Sequence, residues 1–545
     1  MKQTVLQMLH DAAIKYQNTP YVLYKDIHQW ASLTFGEMER EAGYIACGLM
    51  SLGIQKDDNI AILSEGRKRW VAGEYGIIMA GAVSVPLSIK LLPEEIPFRL
   101  NHSGAKAIMV STNTFEKISG IFDKIENQDI RIILLDDDVP ETNKNGNTRI
   151  YDNIIIYNDL KQQGKDYLQQ YPGVLQETEN RITEDDVVTI SYTSGTTGNP
   201  KGIMLTHKNY FVNCRDAMNL FDPPDGWRTL VILPIDHSFA HTVAIYAGLL
   251  RGISLYFVDA KGGGINALKN IPVNLKEVSP HFLLTVPALS GNLMAKITDG
   301  VHSKGGFIRA LFNKGLNAAI KRNQNGYKRA PFFTQLYYLF PYLMANMLIF
   351  GKIRKIFGKN IQFCVGGGAL LGIRQQRFFY GIGVPVYQGY GLTEAAPIIS
   401  ANNPQVHKLG TSGRVFPTVQ CRIVDENRQD LPSGQRGEIA VKGDNVMKGY
   451  YKNPEETART IENGWLYTGD LGYMDNDNFL VVIGREKALL IAEDGEKFSP
   501  EEIEQTIENN GEFIYQTLIY NDHKKYSSAL VTLHTERLRQ YLQER

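Results

Sequence analysis

Short apolar runs alternate with amphipathic helical patterns over the first 190 residues. NIAILS (59–64), AIMVS (107–111) and RIILL (131–135) read as strands. FGEMEREAGYIACGLMSLG (35–53) has apolar residues at i, i+3 and i+4 and stops at Gly53, which predicts a helix ending there. The opening MKQTVLQMLHDAAIKYQ reads as a short amphipathic helix, and DDDVPETNKNGN (136–147) as a polar surface loop. Strands alternating with helices predict an α/β fold, with mostly parallel sheets covered by helices.

The texture changes from about residue 400. CRIVD (421–425), GEIAVKG (437–443) and FLVVIG (479–484) are short strand patterns between Gly, Pro and Asp turns, which predicts a small β-rich subdomain over about 400–484. Further on, in SPEEIEQTIEN, Ser499 is placed to cap a helix with Pro500 at N1 and Glu501 and Glu502 in its first turn. The chain thus divides into a large N-terminal unit, 1–484, and a small α+β C-terminal domain, 485–545. Its 545 residues exceed what one hydrophobic core usually organises.

Lys plus Arg equals Asp plus Glu at 58 each, so no overall field favours nucleic acid, and none is expected as a partner. Cys47, Cys214, Cys364 and Cys421 are scattered with no CxxC pair, which argues against a disulfide framework or zinc cage and fits a reducing cytoplasm. The start lacks the apolar run of a signal peptide. Locally the charge is uneven. Residues 301–360 carry eleven Lys or Arg and no Asp or Glu, around the uncharged PFFTQLYYLFPYLMANMLIF (331–350). That run is long enough to cross a bilayer, but Thr334, Gln335, Pro341 and Asn346 count against a span. A buried helical segment is the first reading. A surface resting peripherally on lipid headgroups at the inner face of the membrane is the second, with up to about 1 kcal/mol from each basic residue near an anionic surface.

Candidate chemistry centres on YTSGTTGNPKGIMLTH (192–207), where a strand pattern runs into a glycine-rich loop. Backbone N–H groups and the hydroxyls of Thr193, Ser194, Thr196 and Thr197 can surround an anion, and Lys201 adds a cation. Walker A requires Lys followed by Ser or Thr at the start of a helix. Here Pro200 precedes Lys201 and Gly202 follows it, so the phosphate grip is of another kind. In YQGYGLTEAAP (387–397), Tyr390 can lie flat on a purine and Glu394 can offer an oxygen to Mg2+ shared with phosphates. An ordinary turn explains that stretch as well. CVGGGALL (364–371) lets a ligand approach the backbone closely, or forms a tight strand–helix turn. Asp470 in WLYTGDLGYMD (465–475) can accept from ribose hydroxyls or simply form a turn. His237 and His241 in LPIDHSFAHT (233–242) have the i, i+4 spacing of helical metal ligands, but HExxH and a nearby third ligand are lacking, so zinc is not expected. No G-x-S-x-G elbow supports a serine hydrolase.

Taken in order, YTSGTTGNPKG, LPIDH, VGGGALL, YQGYGLTE, YTGD and GREKALLIAEDGEKFSPEEIE resemble the AMP-forming acyl-CoA synthetase family. The resemblance runs from LTFGEMEREAG to SSALVTLHTE, and the layout around 301–360 is most similar to the long-chain fatty acid branch. It implies that ATP and a fatty acid give acyl-AMP and pyrophosphate, and that coenzyme A then displaces AMP. Carried over by position, Thr193, Ser194, Gly195, Thr196, Thr197, Gly198 and Lys201 would hold phosphates, with Thr393 near the α-phosphate and Glu394 on Mg2+. Gly366, Gly367, Gly368 and Tyr390 would frame adenine, and Asp470 and Arg485 would bind ribose. His237 would stand at the acyl–coenzyme A junction, and Lys487 at the hinge of a mobile C-terminal domain.

This sequence departs from the family at three places. Gly366–Gly367–Gly368 replaces a common Ser-Gly-Gly. Asp494 stands where a second Gly is usual, which bears on coenzyme A contacts. The family's adenylation lysine, in a Pro-x-Thr…Gly-Lys type context, has no counterpart beyond Lys487, where Lys497, Lys524 and Lys525 occur in other contexts. The expectation is a chain that is cut short. The alternatives are an acyl- or aryl-AMP ligase for another acid or a carrier protein, and a catalytically impaired acyl-nucleotide-binding protein.

Overall fold

The computed structural model describes residues 2–543 apart from 27–28, 139–147, 194–198, 260–263, 492–496, 512, 522–523 and 525. Among these residues, two large sheets and a smaller third carry the fold. The first has eight strands in the order Gly449–Tyr450, Lys201–Thr206, Val187–Thr193, Val83–Pro86, Asn59–Leu63, Ala107–Val110, Arg131–Leu134 and Ile154–Ile156. From Val187–Thr193 to Ile154–Ile156 the neighbours are parallel. Asn59–Leu63 and Ala107–Val110 are buried along their whole length, because helices cover both faces. One of those helices is Phe35–Ser51. Thr34 and Glu37 exchange side chain-to-backbone hydrogen bonds at its start, and Gly53 leaves its end at φ +86°. Most of the polar loop expected at 136–147 lies outside the described residues.

The second sheet has nine strands: Arg414–Val415, Ile398–Ala401, Val386–Gly391, Phe363–Gly366, Phe282–Thr285, Arg228–Val231, Ser254–Phe257, Pro20–Asp26 and Gln29–Thr34. Its six consecutive strands from Val386–Gly391 to Pro20–Asp26 run parallel. The N-terminal hairpin at its edge, with Val22 opposite Leu255, has no counterpart in the sequence reading. The helix Val5–Lys15, which that reading does contain, buries Val5, Leu6, Met8, Leu9, Ala12 and Ala13.

The third sheet joins Gln420–Val424, Gly437–Lys442, Trp465–Met474 and Ile461–Glu462, with Leu480–Arg485 also paired to Trp465–Met474. It begins at Gln420 rather than near 400, since Ile398–Ala401 and Arg414–Val415 complete the nine-stranded sheet. Beyond Arg485 come the helix Pro500–Asn510, the hairpin Ile514–Tyr520 with Ser528–Leu533, and the helix Thr535–Gln543. Ser499 occupies the N-cap, but it does not cap as the spacing predicts. Its hydroxyl donates to the Glu501 carboxylate at 2.6 Å instead of accepting from a backbone N–H.

The segment 331–350 corrects the first reading given to it. It is helical in pieces, Phe332–Tyr337, Leu339–Ala345 and a π-helical stretch Asn346–Phe350, and it is not buried. The break at Tyr338 falls where Pro341 has no N–H to return to the Tyr337 carbonyl. Ala345, Ile349 and Phe350 turn inward, while Phe332, Phe333, Leu336, Tyr337, Phe340, Leu343 and Met347 face outward. A twenty-residue apolar run cannot report which of its faces finds a partner.

Candidate active site

The three sheets meet at one cavity of about 810 Å³. From the eight-stranded sheet come the two feet of the glycine-rich loop. Val187–Thr193 and Lys201–Thr206 are antiparallel neighbours, and Thr193 stands directly opposite Lys201. The connection between them contains Ser194, Gly195, Thr196, Thr197 and Gly198, which lie outside the described residues, so the structure brings Thr193 and Lys201 to the cavity and is silent on the other five.

From the nine-stranded sheet come the ends of parallel strands, where open α/β sheets form their ligand crevices. Phe363–Gly366 ends in Gly366, Gly367 and Gly368, and Val386–Gly391 ends in Tyr390 and Gly391, with Thr393 and Glu394 in the turn that follows. Gly368 is at φ +79°, a conformation that disfavours a side chain. At Gly367 a β-carbon would meet the Phe239 ring at 3.2 Å, so this wall is backbone on one side and aromatic on the other. From the third sheet comes Arg485, whose cross-strand partner Asp470 is buried beside it at a carboxylate–guanidinium contact of 3.2 Å and does not itself line the cavity.

Hydrogen bonds lock these pieces together. The Tyr390 phenol donates to Asp470 Oδ2 at 2.8 Å, tying the second sheet to the third. The Tyr450 phenol donates to Glu394 Oε1 at 3.1 Å, tying it to the first. Thr393 and Ser238 share a hydroxyl contact of 3.0 Å. Burial raises the Glu394 carboxyl above its ordinary value, and the Tyr450 hydrogen bond works against that rise. Burial likewise raises Asp470, opposed by Tyr390 and Arg485. Both are costly, poorly hydrated carboxylates, and Glu394, which lines the cavity, gains from a cation or from donors entering it.

His237 lines the cavity, and burial lowers its imidazole against the pull of Asp236. His241 parts from it. It is buried in the core with its Nε2 at 3.2 Å from Glu74 Oε1. The i, i+4 spacing therefore builds no metal pair, and among the described residues no group of three or more His, Cys, Asp or Glu can hold a metal ion. A single cavity carboxylate does suit Mg2+, which binds through one or two carboxylates, water and substrate phosphates. Glu394 fits that role. Lys487 lies in the short turn Glu486–Ala488 just past Arg485.

Three contributors escaped the sequence reading. Glu456, on the helix Pro454–Thr460, forms a close ion pair with Lys201, whose ammonium also sits 5.0 Å from the Tyr450 ring centroid. Tyr450 is the second, placed by the two-residue strand that pairs with Lys201–Thr206. The third is an apolar extension of the cavity, lined by Ala217, Met218 and Phe221 of the helix His207–Phe221 and by Phe282, Phe363 and Val365 of the nine-stranded sheet. Each depends on long-range packing, and only GYY (449–451) offered a local aromatic signal.

The fold is that of the adenylate-forming ligases. The chain superposes on the anthranilate CoA ligase AuaEII in complex with anthranoyl-AMP with a TM-score of 0.74 and 18% identity, covering 98% of this chain and 89% of that one. Residues 9–451 match the AMP-binding enzyme family, and the chain belongs to it. It is 28% identical over 543 residues to the long-chain-fatty-acid–CoA ligase ACSBG1 of Rattus norvegicus, covering 97% of this chain and 71% of the relative. It is also 28% identical over 536 residues to the chloroplastic long-chain-fatty-acid–[acyl-carrier-protein] ligase AEE15 of Arabidopsis thaliana, covering 92% and 72%.

Proposed function

We propose that this chain activates a long-chain fatty acid with ATP and passes the acyl group to coenzyme A. The observation that carries the proposal is the continuity of one cavity. Its polar end holds Lys201, Thr393 and Glu394, and its other end is the wall of Met218, Phe221, Phe282 and Phe363, with His237 and Phe239 also in its lining. An acid seated along the apolar wall would bring its carboxylate to an ATP whose phosphates lie at the polar end.

The carboxylate oxygen attacks the α-phosphorus, the bond to the bridging oxygen of the β-phosphate breaks, and pyrophosphate leaves. A thiol sulfur then attacks the acyl carbon, the acyl–phosphate bond breaks, AMP leaves, and the thiol proton passes to solvent. In the first step Thr193 and Lys201, with Ser194, Gly195, Thr196, Thr197 and Gly198, are assigned to the departing phosphates and Thr393 to the α-phosphate. Positioning and charge neutralisation are what such a transfer needs. Glu394 would hold Mg2+, which spreads the phosphate charge. Gly366, Gly367, Gly368 and Tyr390 are assigned to adenine, Asp470 and Arg485 to ribose, and Lys487 to a hinge that lets the domain 485–545 turn between the two steps. A long-chain acid dissolves in membranes, so the proposed location is the cytoplasmic side of one, contacted peripherally through 301–360.

Pyrophosphate release across a panel of aliphatic and aromatic acids, with and without coenzyme A, tests the reading. Turnover that rises with chain length and continues only with coenzyme A is expected. Preference for an aromatic acid, or an acyl group accepted only by a carrier protein, would replace the substrate assignment, and no pyrophosphate with any acid would leave a nucleotide-binding protein.

A further inference from the structure

The outward face of Phe332–Arg354 is an apolar strip at helical spacing. Phe333, Leu336 or Tyr337, Phe340, Leu343 and Met347 recur every three or four residues, with Phe333 81% and Phe340 72% exposed. A soluble surface rarely leaves so many large apolar side chains together in water. Along the chain the strip is flanked on both sides by exposed Lys321, Arg329, Lys352, Lys355 and Lys359, with Lys328 3.8 Å from Asp477, within a sixty-residue stretch that has eleven basic and no acidic residues.

We propose that this strip inserts into the headgroup–acyl boundary of an anionic phospholipid bilayer, lying in its plane, with the flanking lysines on lipid phosphates. The arrangement is that of an interfacial amphipathic helix, apolar on one side and basic at its margins. The opposite face is committed to the protein. Ala345, Ile349, Phe350 and Ile353 are buried, Phe350 meets Phe312 edge-to-face with ring centroids 6.0 Å apart, and Arg354 Nη1 donates to Asn346 Oδ1 at 2.8 Å and to the Ile382 carbonyl at 2.9 Å. Gly315 shows how close that packing is, since a β-carbon there would stand 2.0 Å from that of Ala345. Crossing the bilayer would strip these contacts away, so the segment rests on the surface and does not span.

A second copy of the chain is the poorer occupant. A two-fold interface lays the same patch on itself and would set one basic rim against the other. An anionic lipid surface neutralises that rim and covers the strip at once. The assignment rests on the proposed fatty acid substrate only for its purpose, because a membrane stores and delivers such acids. Its physical evidence is separate, and so is its test.

Sedimentation with phosphatidylcholine vesicles, with and without about one-third phosphatidylglycerol, at low and high salt, measures the contact. Binding to the anionic vesicles is expected, falling several-fold as salt screens the lysines. Phe333→Ser with Phe340→Ser should lower partitioning by about tenfold or more, and Lys352→Gln with Lys355→Gln should remove most of the salt dependence. Pyrophosphate release from a short, soluble acid should stay unchanged in both variants, which separates this proposal from the catalytic one. Tyr337→Trp supplies a reporter inside the strip, and the indole emission should shift to the blue on anionic vesicles. Equal binding to neutral vesicles, binding that survives the double Phe substitution, an unshifted emission from the Tyr337→Trp variant, or a dimer that buries the strip in solution would each overturn the proposal.

Discussion

The Tyr450 phenol donates to Glu394 Oε1 at 3.1 Å, from a strand paired with Lys201–Thr206, the loop foot that bears Lys201. The carboxylate assigned to Mg2+ in the proposed reaction is thus fastened to the sheet that carries the glycine-rich loop. Burial raises the Glu394 carboxyl, and this hydrogen bond opposes the rise. Glu394 must be ionised to hold Mg2+, so activity should fall as pH drops through its raised value. Tyr450→Phe removes the opposing bond and should move that acidic limb to higher pH. A pH–rate profile whose acidic limb stays in place would detach Glu394 from the cation.

Lys201 is held by Glu456 in a close ion pair, and an incoming phosphate must share or displace that partner. Lys201→Ala should cut the adenylation rate by about a hundredfold, the scale of losing one charged stabiliser of a developing anion, while leaving melting nearly unchanged. Glu456→Gln should act in the opposite direction on binding and lower KM for ATP. Stopped-flow pyrophosphate release reads both.

Asp470 accepts from Tyr390 and contacts Arg485, both of which line the cavity, so the three are held together before any ribose arrives. Asp470→Asn should raise KM for ATP by about ten- to a hundredfold, since hydrogen bonds to a charged group contribute roughly 1.5–3 kcal/mol. Isothermal titration with AMP gives the same comparison without turnover. An unaltered AMP affinity would remove Asp470 from the nucleotide site.

His207 makes a stability prediction that involves no ligand. It is buried, its Nδ1 accepts the Val5 N–H at 3.2 Å, and burial lowers its pKa from 6.5 to about 3. Unfolded chains therefore bind a proton there that the folded protein refuses. This contribution is fully present above pH 6.5 and is lost as pH falls toward 3, at roughly 1.4 kcal/mol per pH unit. His207→Gln keeps an acceptor for Val5 without the titration, so the fall in denaturation midpoint between pH 7 and 5 should be shallower in the variant.

Local pattern was enough for the elements that repeat a period. The strands near 59, 107 and 131 and the helix from Phe35 follow from alternation and from i, i+3, i+4 spacing, because each buries a face set by its own backbone geometry. The hairpin Pro20–Asp26 with Gln29–Thr34 was not legible, since its place is fixed by Ser254–Phe257, more than two hundred residues away. Motifs such as YTSGTTGNPKG and YQGYGLTE made the family legible, because each sets a distinctive run of residue types close together in sequence.

The sequence by itself determined the family, the order of its glycine-rich and aromatic motifs, and the basic–apolar character of 301–360. Only the tertiary structure decided which residues meet: Glu456 with Lys201 across 255 positions, Tyr450 with Glu394 across 56, Tyr390 with Asp470 across 80. It also decided that His237 faces the cavity while His241 turns to Glu74, and that the strip from Phe333 to Met347 points away from the core. A sequence states which side chains are available at each position. Burial and partnership are properties of surfaces brought together from distant parts of the chain, and they exist only once the sheets have packed.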